Sequence, residues 1–404
     1  MVCPMAERTE EQSILDWLAA SGPAMERLLG AIVDIDSPSG HVAGINGVAD
    51  TIAAFLSAEG VRVERVPTPG GAAILKAAVT AGEGAPVLLM GHMDTVFPLG
   101  TAAARPFSVS GERLHGPGVA DMKAGLVLNA FVLAAFARFG SRNLRGLFTV
   151  DEEVASPASR SVILDTAKDA AFVLNAEPGR RNGNVVIERK GGLFLRVDIT
   201  GRSAHAGVDF TSGASAIGAL ARKIVALEVL TDLEAGITVN VGLVTGGQSI
   251  NTVAPGASAS VDIRYARASQ RQPILDRVAA IVAATDVPET RATFTMLGEF
   301  LPMMPTADSL ALLESYRAAA VRLGFEADGE ATGGCSDAGL TASLGVPTLC
   351  GTGPVGGKAH TDEEYVERAS LVARAQAVAL VVTSHRPTAT DTAPAARRSD
   401  VDQP

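Results

Sequence analysis

Gly91-His92-Met93-Asp94-Thr95-Val96 follows an apolar run, residues 85–90, that is short enough to be a buried strand. His92 and Asp94 are two positions apart, so on a strand they point to the same side and the Asp94 carboxylate can approach the His92 ring. A metal-binding imidazole usually gives its second N–H to such an acceptor. Residues 91–96 therefore suggest a metal site, although in isolation a His and an Asp in an ordinary loop would be the better interpretation.

The rest of the chain favours the metal site. Further candidate site residues lie at or near the ends of predicted strands or in Gly-rich loops. Histidine and carboxylate donors suit Zn²⁺, and two ions about 3.5 Å apart can act together on one substrate. Asp151-Glu152-Glu153 alone would be interpreted as a solvated loop, but neighbouring residues project differently, so one Glu can bind metal while the other faces substrate. The candidates are Asp121, Glu152, Glu153, Glu177 and His360.

Length and charge restrict the class of protein. A chain of 404 residues is too long for one compact core, so we expect two domains. The net charge of −10 argues against nucleic acid or an anionic membrane as partner. The chain has no uninterrupted run of about 20 apolar residues, and its acidic start lacks the pattern of a signal peptide, so we expect neither a membrane span nor a signal peptide. Its three cysteines do not make a disulfide framework. We therefore expect a cytoplasmic enzyme.

The predicted elements indicate an α/β protein with a central mixed sheet flanked by helices. One long helix is predicted over residues 10–33. Residues 189–300 contain strands and helices in the order β-α-β-β-α-β, the ferredoxin-like unit, inserted between residues 1–188 and 301–385. Residues 386–404 are polar and rich in Pro, Ala and Thr, so we expect them to be disordered.

Five segments follow one another along the chain at residues 91–96, 116–125, 151–153, 175–178 and 359–362. In this order they resemble the signatures of the acetylornithine deacetylase, succinyl-diaminopimelate desuccinylase and glutamate carboxypeptidase family of zinc metallopeptidases. The resemblance spans about residues 10–385 and is closest to the glutamate carboxypeptidase-like branch. It is specific for the family and weak for the substrate. It implies a catalytic domain made of residues 1–188 and 301–385, and a lid and dimerisation domain at 189–300.

The resemblance implies a centre of two zinc ions per subunit, for which Co²⁺ or Mn²⁺ could substitute. His92 and Glu177 would bind one ion, and Glu153 and His360 the other. Asp121 would bridge the two ions. Relatives often have a cis peptide bond after this Asp.

The resemblance also implies the catalytic residues. Glu152 would be the general base that takes a proton from a metal-activated water, and Asp94 would orient His92. His205 would donate a hydrogen bond to the developing oxyanion, in several members across a dimer interface. Without the resemblance, His205 would be interpreted as a surface histidine in a Gly-rich loop.

The positions that match substrate-binding residues of the family are Asn251, Arg264, Gly334 and Cys335. Asn251 and Arg264 would hold the substrate carboxylate, for which the two-pronged guanidinium is suited. Without the motif, an exposed strand arginine is an equally good interpretation of Arg264. Gly334 and Cys335 lie in a loop that would line the pocket, and we interpret Cys335 as a small pocket residue and not as a nucleophile.

One segment departs from the relatives that are specific for glutamate. Those members carry an Arg just after the last strand of the lid, whereas residues 297–302 contain Glu299 and no Arg. An acidic side chain on the substrate would then meet a like charge. We therefore expect N-acyl-glutamates to be poorer substrates than matching compounds with a neutral or basic side chain, such as leucine, alanine or arginine.

Together these observations predict a zinc-dependent hydrolase that cleaves the amide bond between an acyl or peptidyl group and a free amino acid. Its substrate would be an N-acyl amino acid or a short peptide, and the chain would form a homodimer through the lid. The alternative among enzymes is a small-acyl deacetylase or desuccinylase. The alternative from another class is a non-catalytic binding protein on the same fold.

Overall fold

A computed structural model describes residues 8–385 of the chain. The prediction of a disordered tail at residues 386–404 falls outside the described residues. Two groups of elements, each with its own hydrophobic core, make up the described part. The helices are α1 (Glu10–Ala20), α2 (Gly22–Val33), α3 (Val42–Ala58), α4 (Thr101–Ala104), α5 (Ala124–Phe139), α6 (Arg160–Ala167), α7 (Ala216–Glu228), α8 (Arg271–Ala283), α9 (Ala307–Arg322), α10 (Ala338–Ser343) and α11 (Arg368–Ser384).

The strands form one large mixed sheet and three smaller sheets. In the large sheet the order is β1-β2-β6-β3-β7-β14. The strands are β1 (Arg62–Pro67), β2 (Ala73–Val79), β3 (Val87–His92), β4 (Ser108–Ser110), β5 (Arg113–His115), β6 (Leu144–Thr149), β7 (Phe172–Asn175), β8 (Val185–Arg189), β9 (Gly191–Thr200), β10 (Thr238–Gly246), β11 (Gly256–Tyr265), β12 (Arg291–Phe300), β13 (Gly329–Thr332), β14 (Thr348–Leu349), β15 (Gly356–Gly357) and β16 (Tyr365–Glu367).

Strands β3, β6, β7 and β14 of the large sheet run parallel to one another, whereas β1 and β2 are antiparallel neighbours. The predicted mixed sheet is thus confirmed. Parallel strands end at the same edge of a sheet, so the residues that follow β3, β6 and β7 meet there. That edge receives His92, the Glu152–Glu153 turn and Glu177.

Helix α5 lies in the middle of the larger core. The segment Val119–Phe139 is long and apolar enough to cross a membrane, but 94% of its most apolar window is buried inside the protein. A helix that is apolar all round fits a core position. Its start is preceded by a distorted helical turn, Val119–Lys123, that carries Asp121 and contains a cis Asp121–Met122 peptide bond. The cis bond implied by the family resemblance is thus present.

The inserted unit, residues 191–300, contains β9, α7, β10, β11, α8 and β12 in chain order. Its sheet has the strand order β10-β11-β9-β12, and all neighbours are antiparallel. The predicted β-α-β-β-α-β succession is therefore confirmed, whereas the exact domain boundaries stay a prediction. Strand β10 is an edge of this sheet.

One predicted helix was wrong, and one pair of strands was not predicted. The single helix over residues 10–33 is two helices, α1 and α2, because Pro23 lacks an N–H and is tolerated only in the first turn of a helix. The strand pair β8 and β13 was missed. These strands are parallel neighbours separated by more than a hundred residues, and such a pairing leaves no local pattern.

Two helical glycines should respond in opposite ways to alanine. A Cβ on Gly125, in α5, would lie 2.0 Å from the carbonyl oxygen of Ala176, beside Glu177, whereas at Gly47, in α3, the nearest atom would be 3.6 Å away on Ile35. We expect Gly125→Ala to lower the free energy of unfolding by about 1–3 kcal/mol. Gly47→Ala should raise it by roughly 0.5–1 kcal/mol through helix propensity. Urea denaturation measures both, and equal stabilities would contradict the packing described here.

Candidate metal centre and active site

His92 is the last residue of β3 and is only 2% exposed. Its Nδ1 lies 2.9 Å from the main-chain oxygen of Asp94 and 3.4 Å from the Asp94 carboxylate. The nearer acceptor is therefore the main chain, and the carboxylate that the sequence suggested is the more distant partner. With Nδ1 held in this way, Nε2 faces the neighbouring carboxylates.

The Asp94 carboxylate is fully buried and holds the turn that carries Glu152 and Glu153. Its Oδ1 accepts a hydrogen bond from the Glu152 N–H at 3.1 Å, and its Oδ2 accepts from the Glu153 N–H at 3.1 Å. The Ser39 hydroxyl also donates to Oδ2 at 2.6 Å. Asp94 thus sets the position of both glutamates, a role that its spacing from His92 did not reveal.

Asp121 lies between the two histidines. Its Oδ1 is 3.1 Å from His92 Nε2, and its Oδ2 is 3.4 Å from His360 Nε2. Glu177 Oε1 is 3.8 Å from His92 Nε2, and Glu153 Oε2 is 3.5 Å from His360 Nε2. The side chains form two groups, one with His92 and one with His360, that share Asp121. All five candidate metal ligands of the sequence analysis are therefore brought together.

The chemistry of these donors fits divalent cations. His92, Asp121 and Glu153 offer ligand atoms that all lie within 4.8 Å of one another. Within the described residues, Glu153 Oε1 is buried without a hydrogen-bond partner. Burial raises the pKa of Glu177 to about 7, because its negative charge is poorly solvated and lies close to Asp121. Cations bound between these groups would relieve this excess of buried negative charge.

Glu152 lies beside these groups and lines the same cavity. Its Oε2 is 4.0 Å from His92 Nε2, farther than the nearest carboxylates. Burial raises its pKa well above the ordinary value of a glutamate, and the nearby carboxylates add to the effect. Glu152 thus lies next to the candidate metal ligands and faces the same cavity.

Glu364 is a buried carboxylate that sequence reasoning missed. It is fully shielded from solvent, and burial raises its pKa to about 7. Its Oε1 accepts hydrogen bonds from the N–H groups of Ala120 at 2.8 Å and Asp121 at 2.9 Å, and its Oε2 accepts from Gly118 at 3.1 Å. Since Glu364 is four residues after His360, it ties the His360 loop to the Asp121 loop. That spacing is the only sequence signal that could have indicated it.

Four of the five candidate ligands, all except His92, line a cavity of about 1070 Å³ that Arg264, Gly334 and Cys335 also line. The Arg264 guanidinium lies 5.1 Å from the centre of the Phe194 ring. It donates to both oxygens of Asp262, at 2.7 and 2.8 Å, and its Nη1 lies 2.8 Å from Cys335 Sγ. These three predicted substrate-binding residues therefore share one cavity with the metal site.

His205 and Asn251 are not among the residues that line this cavity. Both are exposed on loops of the inserted unit that lie side by side. His205 Nδ1 accepts a hydrogen bond from the Gly207 N–H at 3.1 Å, and the Asn251 carbonyl accepts one from the Ala206 N–H at 2.9 Å. A single described chain does not bring these two residues to the metal site.

Glu299 does not line the cavity either. Its carboxylate forms a two-pronged ion pair with Arg271, in which Nη2 donates at 3.0 Å. The premise that Glu299 would repel an acidic substrate is therefore wrong. The cavity is instead lined by basic side chains that include Arg180, Arg181 and Lys358.

Arg189 and Cys350 were also missed as parts of the site. Arg189 is 5% exposed, and its Nε lies 3.1 Å from Cys350 Sγ. Its Nη1 donates to the carbonyl oxygens of Gly334 at 3.2 Å and Cys335 at 3.1 Å. This buried guanidinium holds the loop that lines the cavity, and no local sequence pattern connects residues so far apart.

Comparisons with known proteins show what the whole chain is similar to. The family model for Peptidase family M20/M25/M40 matches residues 88–384. Carboxypeptidase G2 of Pseudomonas sp. (strain RS-16) is 28% identical over 364 residues, which cover 87% of either chain. N-acetyl-L-citrulline deacetylase of Xanthomonas campestris pv. campestris is 28% identical over 371 residues, covering 88% of this chain and 95% of that protein.

A solved structure has the same fold. The M20 family metallo-carboxypeptidase from Sulfolobus solfataricus superposes with a TM-score of 0.74 and 16% sequence identity. The superposition covers 88% of this chain and 97% of that chain. Because 88% of this chain is covered, the likeness extends beyond either unit alone.

Glu364→Gln should weaken metal binding. Three N–H groups donate to the two carboxylate oxygens of Glu364, and a glutamine would turn its own amide N–H groups toward one of these donors. We expect a loss of metal affinity of roughly 10–100-fold, as for other residues that support ligands. The control is Glu363→Gln, an exposed neighbour paired with Lys358. Competition with a chelator measures both affinities, and equal values for the two variants would contradict the role of Glu364.

Proposed function

Because the chain belongs to peptidase family M20/M25/M40, it is a metal-dependent hydrolase of acyl or peptidyl amide bonds, and we propose that it releases a free amino acid from N-acyl amino acids or short peptides. The observation that carries this proposal is the position of Asp121. Its two carboxylate oxygens each face a different histidine, and it lines the same cavity as Glu152. The same residues could act in a small-acyl deacetylase. The similarity to an N-acetyl-L-citrulline deacetylase supports that alternative.

The proposal includes two zinc ions. His92 and Glu177 would hold one ion and Glu153 and His360 the other, with Asp121 between them. The arrangement of these side chains in two groups that share Asp121 supports this division. When bound, such ions polarise an amide carbonyl and lower the pKa of water. Co²⁺ or Mn²⁺ could occupy the same donors.

Glu152 is proposed as the general base. One of its carboxylate oxygens would take the proton of the attacking water and then give it to the nitrogen of the leaving amino acid. The support is that its main chain is fixed by Asp94 while its side chain faces the cavity. Asp94 would act by positioning both His92 and the glutamate turn.

Arg264 is proposed to bind the α-carboxylate of the substrate. Its Nε and Nη2 are held by Asp262, whereas Nη1 contacts only the Cys335 thiol among the described residues. A carboxylate is a stronger acceptor than a thiol, so a substrate would replace that contact. Gly334 and Cys335 would form the wall of this subsite, because Arg189 fixes their carbonyl groups.

The proposal also includes a homodimer formed through the inserted unit, in which His205 and Asn251 complete the cavity of a second copy. The inserted unit exposes apolar side chains on α7 and β10 that water solvates poorly. Among them are Val225, 64% exposed, and Leu243, 69% exposed. His205 would then donate to the developing oxyanion, and Asn251 would assist in holding the substrate carboxylate. A cytoplasmic location is proposed because Cys335 and Cys350 are free thiols.

Glu152→Gln should remove the base and leave the metal donors in place. We expect kcat on a hydrolysed N-acyl amino acid to fall by at least ~10²-fold, because proton transfer contributes that much or more. The metal content, measured by elemental analysis on the same sample, should equal that of the unmodified protein. The control is Glu83→Gln on an exposed loop. Near-normal turnover of Glu152→Gln with full metal content would refute the assignment.

Mixed dimers test whether His205 acts in a second copy. Glu152→Gln and His205→Ala dimers should each be inactive. In a mixed dimer, one of the two cavities would combine an intact Glu152 with an intact His205 from the other chain. Random mixing should therefore restore about a quarter of the normal activity, because half of the dimers are mixed and each has one intact site. Mixing that restores no activity would show that His205 does not act across the interface.

A further inference from the structure

The cavity is lined by several basic side chains, and most are already engaged within the protein. Arg180 lies 3.4 Å from Glu330, and Lys358 lies 2.6 Å from Glu363. Arg264 is paired with Asp262. Arg189 is held by Cys350 and two carbonyl oxygens, as described above. Carboxylates therefore offset the charge of Arg180, Lys358 and Arg264. The donors of Arg189 are occupied by neutral groups.

Arg181 is different from these four. Among residues 8–385, it is the one basic side chain of the cavity wall with neither a hydrogen bond nor an ion pair to another group. A guanidinium presents a fork of donors that matches a carboxylate. An unpaired arginine in the wall of a substrate cavity can therefore bind an anionic group of the substrate.

The main chain of Arg181 lies in a tightly built turn. The Arg180 N–H donates to the Asn184 oxygen at 3.0 Å, and the Gly183 N–H donates to the Arg180 oxygen at 2.8 Å. The side-chain amides of Asn182 and Asn184 both donate to Glu330, each at 3.1 Å. Arg181 thus extends from a backbone that is held on both sides.

A buried arginine connects this turn to the metal site. Arg374 is 1% exposed and donates to the carbonyl oxygens of Gly183 at 2.9 Å and Asn184 at 3.2 Å. It also donates to Gly353 at 3.0 Å, and the Gly353 N–H donates to the Glu177 carbonyl at 3.0 Å. The turn that carries Arg181 is therefore fixed relative to Glu177, only four residues earlier in the chain.

From these contacts we propose that Arg181 recognises a second anionic group of the substrate, in addition to the α-carboxylate. The preferred substrates are then N-acyl amino acids or short peptides that carry a further carboxylate. This inference rests on the proposed function and deepens it by naming the substrate class. It also replaces the interpretation of Glu299, whose charge is neutralised by Arg271 outside the cavity.

The second carboxylate can belong to the acyl group or to the side chain of the released amino acid. Two matched pairs of compounds distinguish these sources. N-acetyl-glutamate and N-acetyl-glutamine differ in charge on the amino acid side, and N-succinyl-leucine and N-succinamoyl-leucine differ in charge on the acyl side. Within each pair the shape is nearly the same, so a difference in kcat/KM reports the recognition of charge.

The experiment measures kcat/KM for all four compounds with the full-length, metal-loaded enzyme. We expect the acidic member of one pair to be preferred by about tenfold, the scale of a charged pair that is partly open to water. Arg181→Gln should abolish that preference, whereas Arg181→Lys should retain part of it. The control is Arg277→Gln, an exposed position on α8, which should leave all four values unchanged. Raising the salt concentration should reduce the preference of the unmodified enzyme.

Three outcomes would overturn the inference. Hydrolysis without preference for the acidic member of either pair would refute it and leave the proposed function standing. A preference that survives in Arg181→Gln would assign the recognition to another cation. Absence of hydrolysis of all four compounds by metal-loaded enzyme would refute the proposed function, and this inference with it.

Discussion

The constraint on which the structure depends is the burial of several carboxylates at one edge of a parallel sheet. Strands β3, β6 and β7 end side by side, and the residues after them place His92, the Glu152–Glu153 turn and Glu177 in one small volume. Burying an ionised carboxylate without compensation is costly. Histidines and main-chain N–H groups stabilise the buried carboxylates, and the arrangement of the donors suits divalent cations.

The supporting carboxylates show how far this compensation extends. Asp94 and Glu364 are both fully buried, and between them they accept hydrogen bonds from five main-chain N–H groups and one hydroxyl. These bonds connect the turn after β6 to the end of β3, and the Asp121 loop to the His360 loop. Each of the two groups of donors is therefore positioned by segments that are distant in the chain, so the site depends on completion of the larger core.

The sequence predicted the parts of the site that are encoded locally. The spacing of His92 and Asp94 and the buried strand before them indicated a metal site, and the family resemblance of the five segments implied the five candidate ligands. Periodicity led to most helices and strands. Contacts between distant segments could not be predicted in this way. Glu299 was assigned to the cavity from its position after the inserted unit, but Arg271 on α8 binds it, and only the packing of α8 against β12 brings the two together. Arg189 and Cys350 escaped notice for the same reason.

The junction between the two hydrophobic cores explains why a cavity that is lined by residues of both units has a defined shape. The chain enters the inserted unit after Arg189 and leaves it before Met303, and these two residues exchange main-chain hydrogen bonds at 2.9 and 3.0 Å. The Arg189 side chain meanwhile holds the carbonyl groups of Gly334 and Cys335. Both connections between the units are therefore held by the larger core. A rotation of the inserted unit would have to occur in the residues between Arg189 and Met303. Such a rotation would separate Arg264 from Cys335 and leave the metal donors in place. The geometry of the metal site would then stay the same, and the distance between the metal site and the Arg264 guanidinium would change.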